Sequence, residues 1–263
     1  MGPWRLELLR LWRTRRLIVL AATFLILGLG SPVLTYYLPE LLKNAGNGVR
    51  ITVPKQTPAD GIAEFAGNVA QLGTLVVVVV AAASLAIDAH PALAAFYRTR
   101  VHRPALLVLP RYLTVLAASV ATLAVGTFGA WYETTVLLGH VPFATLMGGL
   151  ALEALWLCFV TSIVTLFTSA IRGVLGVVGG SIALLLALGL LGNLPAAASW
   201  LPTRLAGSGA DLAQHSAGGV WHAVVVSSLA TVAALSLAVN RLGKREVYAA
   251  GAASCSDTSV FSR

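Results

Sequence analysis

The reading of this chain turns on Gly73-Thr74-Leu75-Val76-Val77-Val78-Val79-Val80-Ala81-Ala82-Ala83. In a water-soluble protein a run of five valines would suit a buried strand, because β-branched side chains favour extended backbone. Here the apolar character continues on both sides, from about Glu64 to Ile87. A stretch of more than about 20 apolar residues is the length of a membrane-spanning helix, not of a strand. In lipid a helix satisfies its own backbone hydrogen bonds, whereas a lone strand does not.

The whole chain has the same character. It has 263 residues, 57% of them hydrophobic and 11% charged, with a mean hydropathy of +0.84. Soluble domains are about 45–50% apolar and about 25% charged. That excess cannot be hidden beneath a polar surface at this size, and disordered chains are poor in apolar residues. The arithmetic leaves an integral membrane protein with room for roughly six spans. The sequence predicts them at about 17–38, 64–87, 109–138, 143–170, 174–194 and 220–239, the first interrupted by Gly28, Gly30 and Pro32. The expected fold is therefore an all-α integral membrane protein. Residues 1–246 form one transmembrane domain, followed by a disordered cytoplasmic tail, 247–263.

The formal charge is +8 and the pI near 10.1. A soluble protein with that balance would suggest nucleic acid as partner. In a membrane protein it records orientation. With the N-terminus inside, thirteen basic residues fall in inner segments: Arg5, Arg10, Arg13, Arg15, Arg16, Arg98, Arg100, Arg103, Arg111, Arg172, Arg241, Lys244 and Arg245. Four fall outside: Lys43, Arg50, Lys55 and Arg204. The bias predicts both termini in the cytoplasm, as an even number of spans requires, and no nucleic-acid role. The first span is too long for a signal-peptide core and lacks a small-residue cleavage site. Cys158 lies in an apolar run and Cys255 in the tail, so no disulfide framework is expected.

Three connecting segments carry more than topology. Pro3 to Arg16 reads as an interfacial amphipathic helix. Trp4, Leu8, Leu11 and Trp12 share a face, and Arg5, Arg10, Arg13 and Arg16 supply charge for lipid phosphate. Leu6 and Leu9 fall off that face, and a plain orientation signal is the simpler alternative. Asp88 to Pro104 is basic and aromatic, with Pro91 suited to a first helical turn. Phe96 and Tyr97 read there as anchors and Arg98, Arg100 and Arg103 as rim charges for a cytosolic partner, against an ordinary basic loop on lipid phosphate. Pro195 to Gly219, moderately apolar with Trp200 and Pro202, either dips into the outer interface or runs over the surface.

Within the spans, Glu133 follows Trp131 and Tyr132 near an outer end, and Glu153 lies about a third of the way in from outside. Ionisable groups at membrane depth are rare and mark function by default. Both are candidates for a translocation path, and as a pair they could share a proton or bind a cationic group on a cargo. The alternatives are an interfacial Glu133 and a Glu153 that only hydrogen-bonds a neighbouring helix. Gly176 and Gly180 form a GxxxG pair suited to helix packing. The chain has no phosphate loop, zinc helix or nucleophile elbow, and its five histidines are scattered, so no catalytic residue, metal site or cofactor is expected.

The order of these parts resembles the membrane-spanning subunits of type-2 ATP-binding-cassette (ABC) transporters. Members have six spans with both termini inside, an N-terminal amphipathic helix, a coupling helix between the second and third spans, and a partly re-entrant segment before the last. Trp4 to Arg16, Phe96 to Leu107 and Pro195 to Gly219 look like those three elements. The resemblance covers about residues 3–246 and is architectural, without a fixed motif. It implies a non-catalytic permease half of an exporter. A second permease chain, identical or related, would complete the path. Two copies of a separate cytosolic ATPase, which would hold the ATP and magnesium, would dock near Phe96, Tyr97, Arg98, Thr99, Arg100, His102 and Arg103. The Ala- and Gly-rich composition fits the cytoplasmic membrane of a high-G+C bacterium. A proton-coupled secondary carrier using Glu133 and Glu153 is the alternative function, weakened by the absence of an inverted repeat.

Overall fold

The computed structural model describes residues 7, 10–45, 56–86, 104–171, 173–194, 198–213 and 220–258. These are almost entirely helical and include no strand. The helices are α1 (Arg16–Ala45), α2 (Pro58–Asn68), α3 (Thr74–Leu85), α4 (Pro104–Leu137), α5 (Phe143–Ala170), α6 (Val174–Leu191), α7 (Ser208–Ala213) and α8 (Val220–Thr258). A π-helical turn, Val69–Gly73, joins α2 to α3, and a 3₁₀ turn, Pro202–Leu205, precedes α7. Six stretches among the described residues are long and apolar enough to cross a membrane: Arg16–Glu40, Pro58–Leu85, Val108–Leu137, Phe143–Ala170, Val174–Leu191 and Val220–Leu242. The chain is a multi-pass membrane protein. Below, "outer" and "inner" name the two sides as the basic residues assign them.

The valine run is helical. Leu72, Leu75 and Val79 are exposed, while Val77, Val78 and Val80 are buried. Exposure at intervals of three and four residues is a helix stripe; a strand would alternate. The span begins earlier than the apolar run suggests. Thr57 and Asp60 form a capping box, with the Thr57 amide and hydroxyl both donating to Asp60 Oδ2 at 2.8 and 2.7 Å, and Pro58 opens the helix. These polar residues lower the local hydropathy and yet start the helix. The π-turn between α2 and α3 is lined by Phe24 of α1, which a Cβ on Gly73 would touch at 3.0 Å.

The first span is continuous, although Gly28, Gly30 and Pro32 interrupt its apolar run: α1 passes through both Pro32 and Pro39. Proline removes one helical hydrogen bond, a loss that membrane helices accommodate through their neighbours. Gly28 serves close packing. A Cβ there would fall onto the carbonyl oxygen of Gly126 in α4, and a Cβ on Gly126 would lie 2.5 Å from the carbonyl oxygen of Phe24. The two backbones touch, which makes α1–α4 the most extensive helix pair in the bundle, followed by α5–α8. Among helices in lipid this gain is dispersion rather than hydrophobic transfer, so close approach matters more than area. Gly176 and Gly180 of α6 sit instead against Ile171 and Phe167 at the end of α5, so this GxxxG pair receives side chains rather than a crossing backbone.

The spans α2–α3, α4 and α5 are at least half buried, whereas α6 is 11% buried and α1 and α8 28%. Leu175, Leu186 and Leu190 of α6 and Leu229 and Val232 of α8 are exposed, as a lipid-facing surface requires. Tyr36, Tyr37, Tyr132, Phe143, Trp200 and Trp221 are exposed near the outer ends of the helices, forming an aromatic belt. Several buried hydroxyls bond back to their own helices, among them Thr114 to Pro110 O at 2.6 Å, Thr127 to Leu123 O at 2.9 Å and Thr161 to Leu157 O at 2.7 Å. They therefore cost the apolar interior little. The last helix continues to Thr258, into the segment read from sequence as a tail.

Candidate functional site

The segment before the last span is built into the bundle. The 3₁₀ turn packs on α5, α6 and α8, and α7 packs on α5 and α2. Pro202, Leu205 and Ser208 are buried. Between turn and helix the chain bends at Gly207, whose φ of +79° is unfavourable for any residue with a Cβ. Two residues on, the Cα of Gly209 lies 3.0 Å from where a Cβ on Gly149 of α5 would stand. Two glycines thus bring this segment onto the outer third of α5 backbone to backbone.

Glu153 lies one turn along α5 from that contact. It is 5% exposed, and its Oε2 accepts a hydrogen bond from the Gly207 amide at 3.2 Å. Its Oε1 has no hydrogen-bond partner among the described residues. The residue lines a cavity of about 30 Å³. The walls come from α2 (Ile62, Phe65), α4 (Leu123, Thr127) and α5 (Thr145, Leu146, Leu150), with Gly209 of α7 on one side. Glu153 is the one charged side chain on that lining. On the next turn Trp156 donates its indole N–H to Thr74 Oγ1 at 3.0 Å, at the end of the π-turn. One face of α5 thus ties the segment before the last span, the cavity and the second span together.

Glu133 is the other acidic residue singled out on sequence. It is half-buried near the outer end of α4, and no hydrogen bond or ion pair joins it to Glu153.

The inner side carries a second polar cluster. Glu7 accepts from Arg111 Nε at 2.9 Å and lies 3.9 Å from Arg10 Nη1. Arg111, counted on sequence among the loop charges, is 4% exposed within the third span. Leu11 is buried, one helical turn beyond Glu7, whereas Trp12 is 71% exposed. Leu11 and Trp12, placed on one face by sequence, therefore divide: Glu7 and Leu11 face the bundle and Trp12 faces away. The chain turns at Thr14–Arg15, with Arg15 at φ +57°, and Arg16 then donates to Ser84 Oγ at 3.1 Å at the inner end of α3. Arg13 is exposed. Trp4, Arg5 and Leu8 lie outside the described residues, as do Phe96, Tyr97, Arg98, Thr99, Arg100, His102 and Arg103. Among the described residues no group of His, Cys, Asp and Glu could hold a metal ion.

Sequence reasoning missed Gly207, Arg111 and Glu7 as partners. Arg111 had a signal, since it falls within the apolar bounds of its span. Gly207 is one glycine among 25, and nothing in its spacing points to Glu153.

The fold defines a multi-pass membrane protein with six candidate spans and a short segment, 198–213, packed into the bundle before the last of them. Comparison with known proteins gives the same class. The chain is 25% identical over 203 residues to the "Uncharacterized transmembrane protein YxlG" of Bacillus subtilis (strain 168), covering 76% of this chain and 79% of that protein. No protein-family description matches the sequence, and no solved structure matches it.

Proposed function

We propose that this chain is the permease subunit of a type-2 ABC exporter in a bacterial cytoplasmic membrane. It would form half of a translocation path and dock a separate ATPase on its inner face. The observation that supports the reading best is the re-entrant segment 198–213, embedded among α2, α5 and α8 immediately before the last span. Together with six candidate spans, it matches the order of parts in that family. The scarcity of charge supports the same reading. With 11% charged residues, the chain offers few groups for chemistry of its own, so the free energy for transport must come from a partner. In this role the chain is not an enzyme and binds no cofactor, and ATP and magnesium belong to the ATPase. The second permease chain is identical or related, and membrane lipid surrounds both.

The test is affinity capture of the full chain from its native membrane. The expected result is co-purification of an ATPase bearing a Walker phosphate-binding loop. Charge reversal at Arg98, Arg100 and Arg103 is expected to reduce recovery by about tenfold or more, as loss of several rim charges around an anchor implies. Purified chain that alone drives uptake into liposomes under a pH gradient would overturn the proposal.

A further inference from the structure

We infer that Arg10 and Arg16 form a binding site for the phosphate of an anionic phospholipid at the inner face of the membrane. On sequence, the arginines of the N-terminal segment serve the head-group layer alike; the fold separates them. The chain reverses at Thr14–Arg15, where Arg15 adopts φ +57°, a conformation that residues with a Cβ take at a cost. Arg10 and Arg16 flank this turn, near enough for their charges to repel. Arg16 stands half-buried at the inner limit of the first span. Its Nη1 donates to Ser84 Oγ at 3.1 Å, which leaves the rest of its guanidinium fork unspent. Among the described residues no carboxylate pairs with it. Glu7 is taken by the buried Arg111 at 2.9 Å and lies 3.9 Å from Arg10. That leaves three guanidiniums to one carboxylate. Like charges held together by the fold, one of them half out of water, call for an anion.

The surroundings select the kind of anion. Below Arg16, Ile18, Val19, Leu25, Ile26 and Leu29 are exposed at helical intervals along α1, a lipid-facing stripe. Trp12 is exposed just before the turn, as suits a side chain at the interface. The two arginines therefore stand at the head of a path for acyl chains, at the depth of the lipid phosphates. A guanidinium fork matches phosphate oxygens in pairs, and basic pockets on the cytoplasmic side suit anionic head groups. A zwitterionic lipid brings its own cation into the site and is the poorer ligand. Arg13 and Arg15 are exposed and have no partner among the described residues, which makes them a matched control.

The test is native mass spectrometry of the full chain, purified in a nonionic detergent and titrated with phosphatidylglycerol. One lipid per chain is expected to bind ahead of the rest. Replacing Arg10 and Arg16 together by Gln is expected to weaken that lipid about tenfold or more, the effect of losing charged hydrogen bonds. Replacing Arg13 and Arg15 by Gln removes the same net charge and is expected to change its affinity by less than about twofold, as for exposed charges. Equal losses in the two double variants would reduce the arginines to a diffuse charge and overturn the inference. Equal binding of phosphatidylcholine would do the same. Displacement of the lipid by an equal concentration of inorganic phosphate would assign the site to a free anion and overturn the lipid. Should the Arg10/Arg16 variant fail to fold, Arg16→Lys carries the test. It keeps the charge, loses the planar fork, and is expected to weaken binding about threefold or more; unchanged binding overturns the inference. No ATPase is present, so these outcomes leave the exporter proposal untouched.

Discussion

At the scale of single residues, this bundle depends on a few positions where no side chain fits. Gly28 and Gly126 let α1 and α4 touch along their backbones, and a Cβ at either position meets backbone atoms that cannot move aside. Gly126→Val is therefore expected to push the helices apart and destabilise the protein by at least about 2 kcal/mol, in the range of overpacked cores. Gly30→Val, on the same helix where a Cβ meets nothing within 4 Å, is expected to be near neutral. Thermal unfolding of the two variants in detergent, followed by size-exclusion fluorescence, checks the contrast. Equal unfolding temperatures would remove the crossing from this account. Gly207 makes a similar demand through its left-handed conformation, where an alanine costs about 1–2 kcal/mol.

Among elements, the inner cluster connects the N-terminal segment to two spans. Glu7 and Leu11 hold it to α4, and Arg16 bonds α3. Arg111 is buried, so removing Glu7 takes a charged hydrogen-bond partner from a group that water does not reach. Glu7→Ala is expected to lower stability by about 1–3 kcal/mol, the range for losing a hydrogen bond to a charged group. Glu7→Gln, which keeps an acceptor for Arg111 Nε, is expected to lose less. Chemical denaturation of both variants gives the ordering, and a Glu7→Ala protein as stable as the parent would show the pair to be incidental. The outer segment is held by the buried side chains of Pro202 and Leu205, by a glycine contact with α5 and by one hydrogen bond to Glu153.

For the molecule as a whole, topology is the property to test. The basic residues put the Thr57 end of the second span outside and the end of α8 inside. In a chain with Cys158 and Cys255 replaced by serine, Thr57→Cys is expected to react with a membrane-impermeant maleimide added to intact cells. Lys244→Cys is expected to react only after permeabilisation. The reverse pattern would invert the orientation and place the Glu153 cavity in the other leaflet.

Membrane class, helix number and most span limits were legible in the residues alone. The fourth span was placed at the limits observed, Phe143–Ala170. These features follow from one local quantity, the apolar length needed to cross about 30 Å of hydrocarbon, and a hydropathy profile measures it directly. The same profile misplaced the start of the second span, because a capping box is polar, and marked Pro32 as a break in a helix that its neighbours keep intact. Glu153 was also legible as a candidate, because charge within a span stands out. What it meets was not. The Gly207 amide is 54 residues away and Glu7 is 104 residues from Arg111. Which glycine crosses a backbone and which only receives a side chain is likewise a matter of rotation about the helix axis. Between apolar helices the hydrophobic effect supplies no register, so close packing and a handful of polar contacts decide it, and these exist only in the folded bundle.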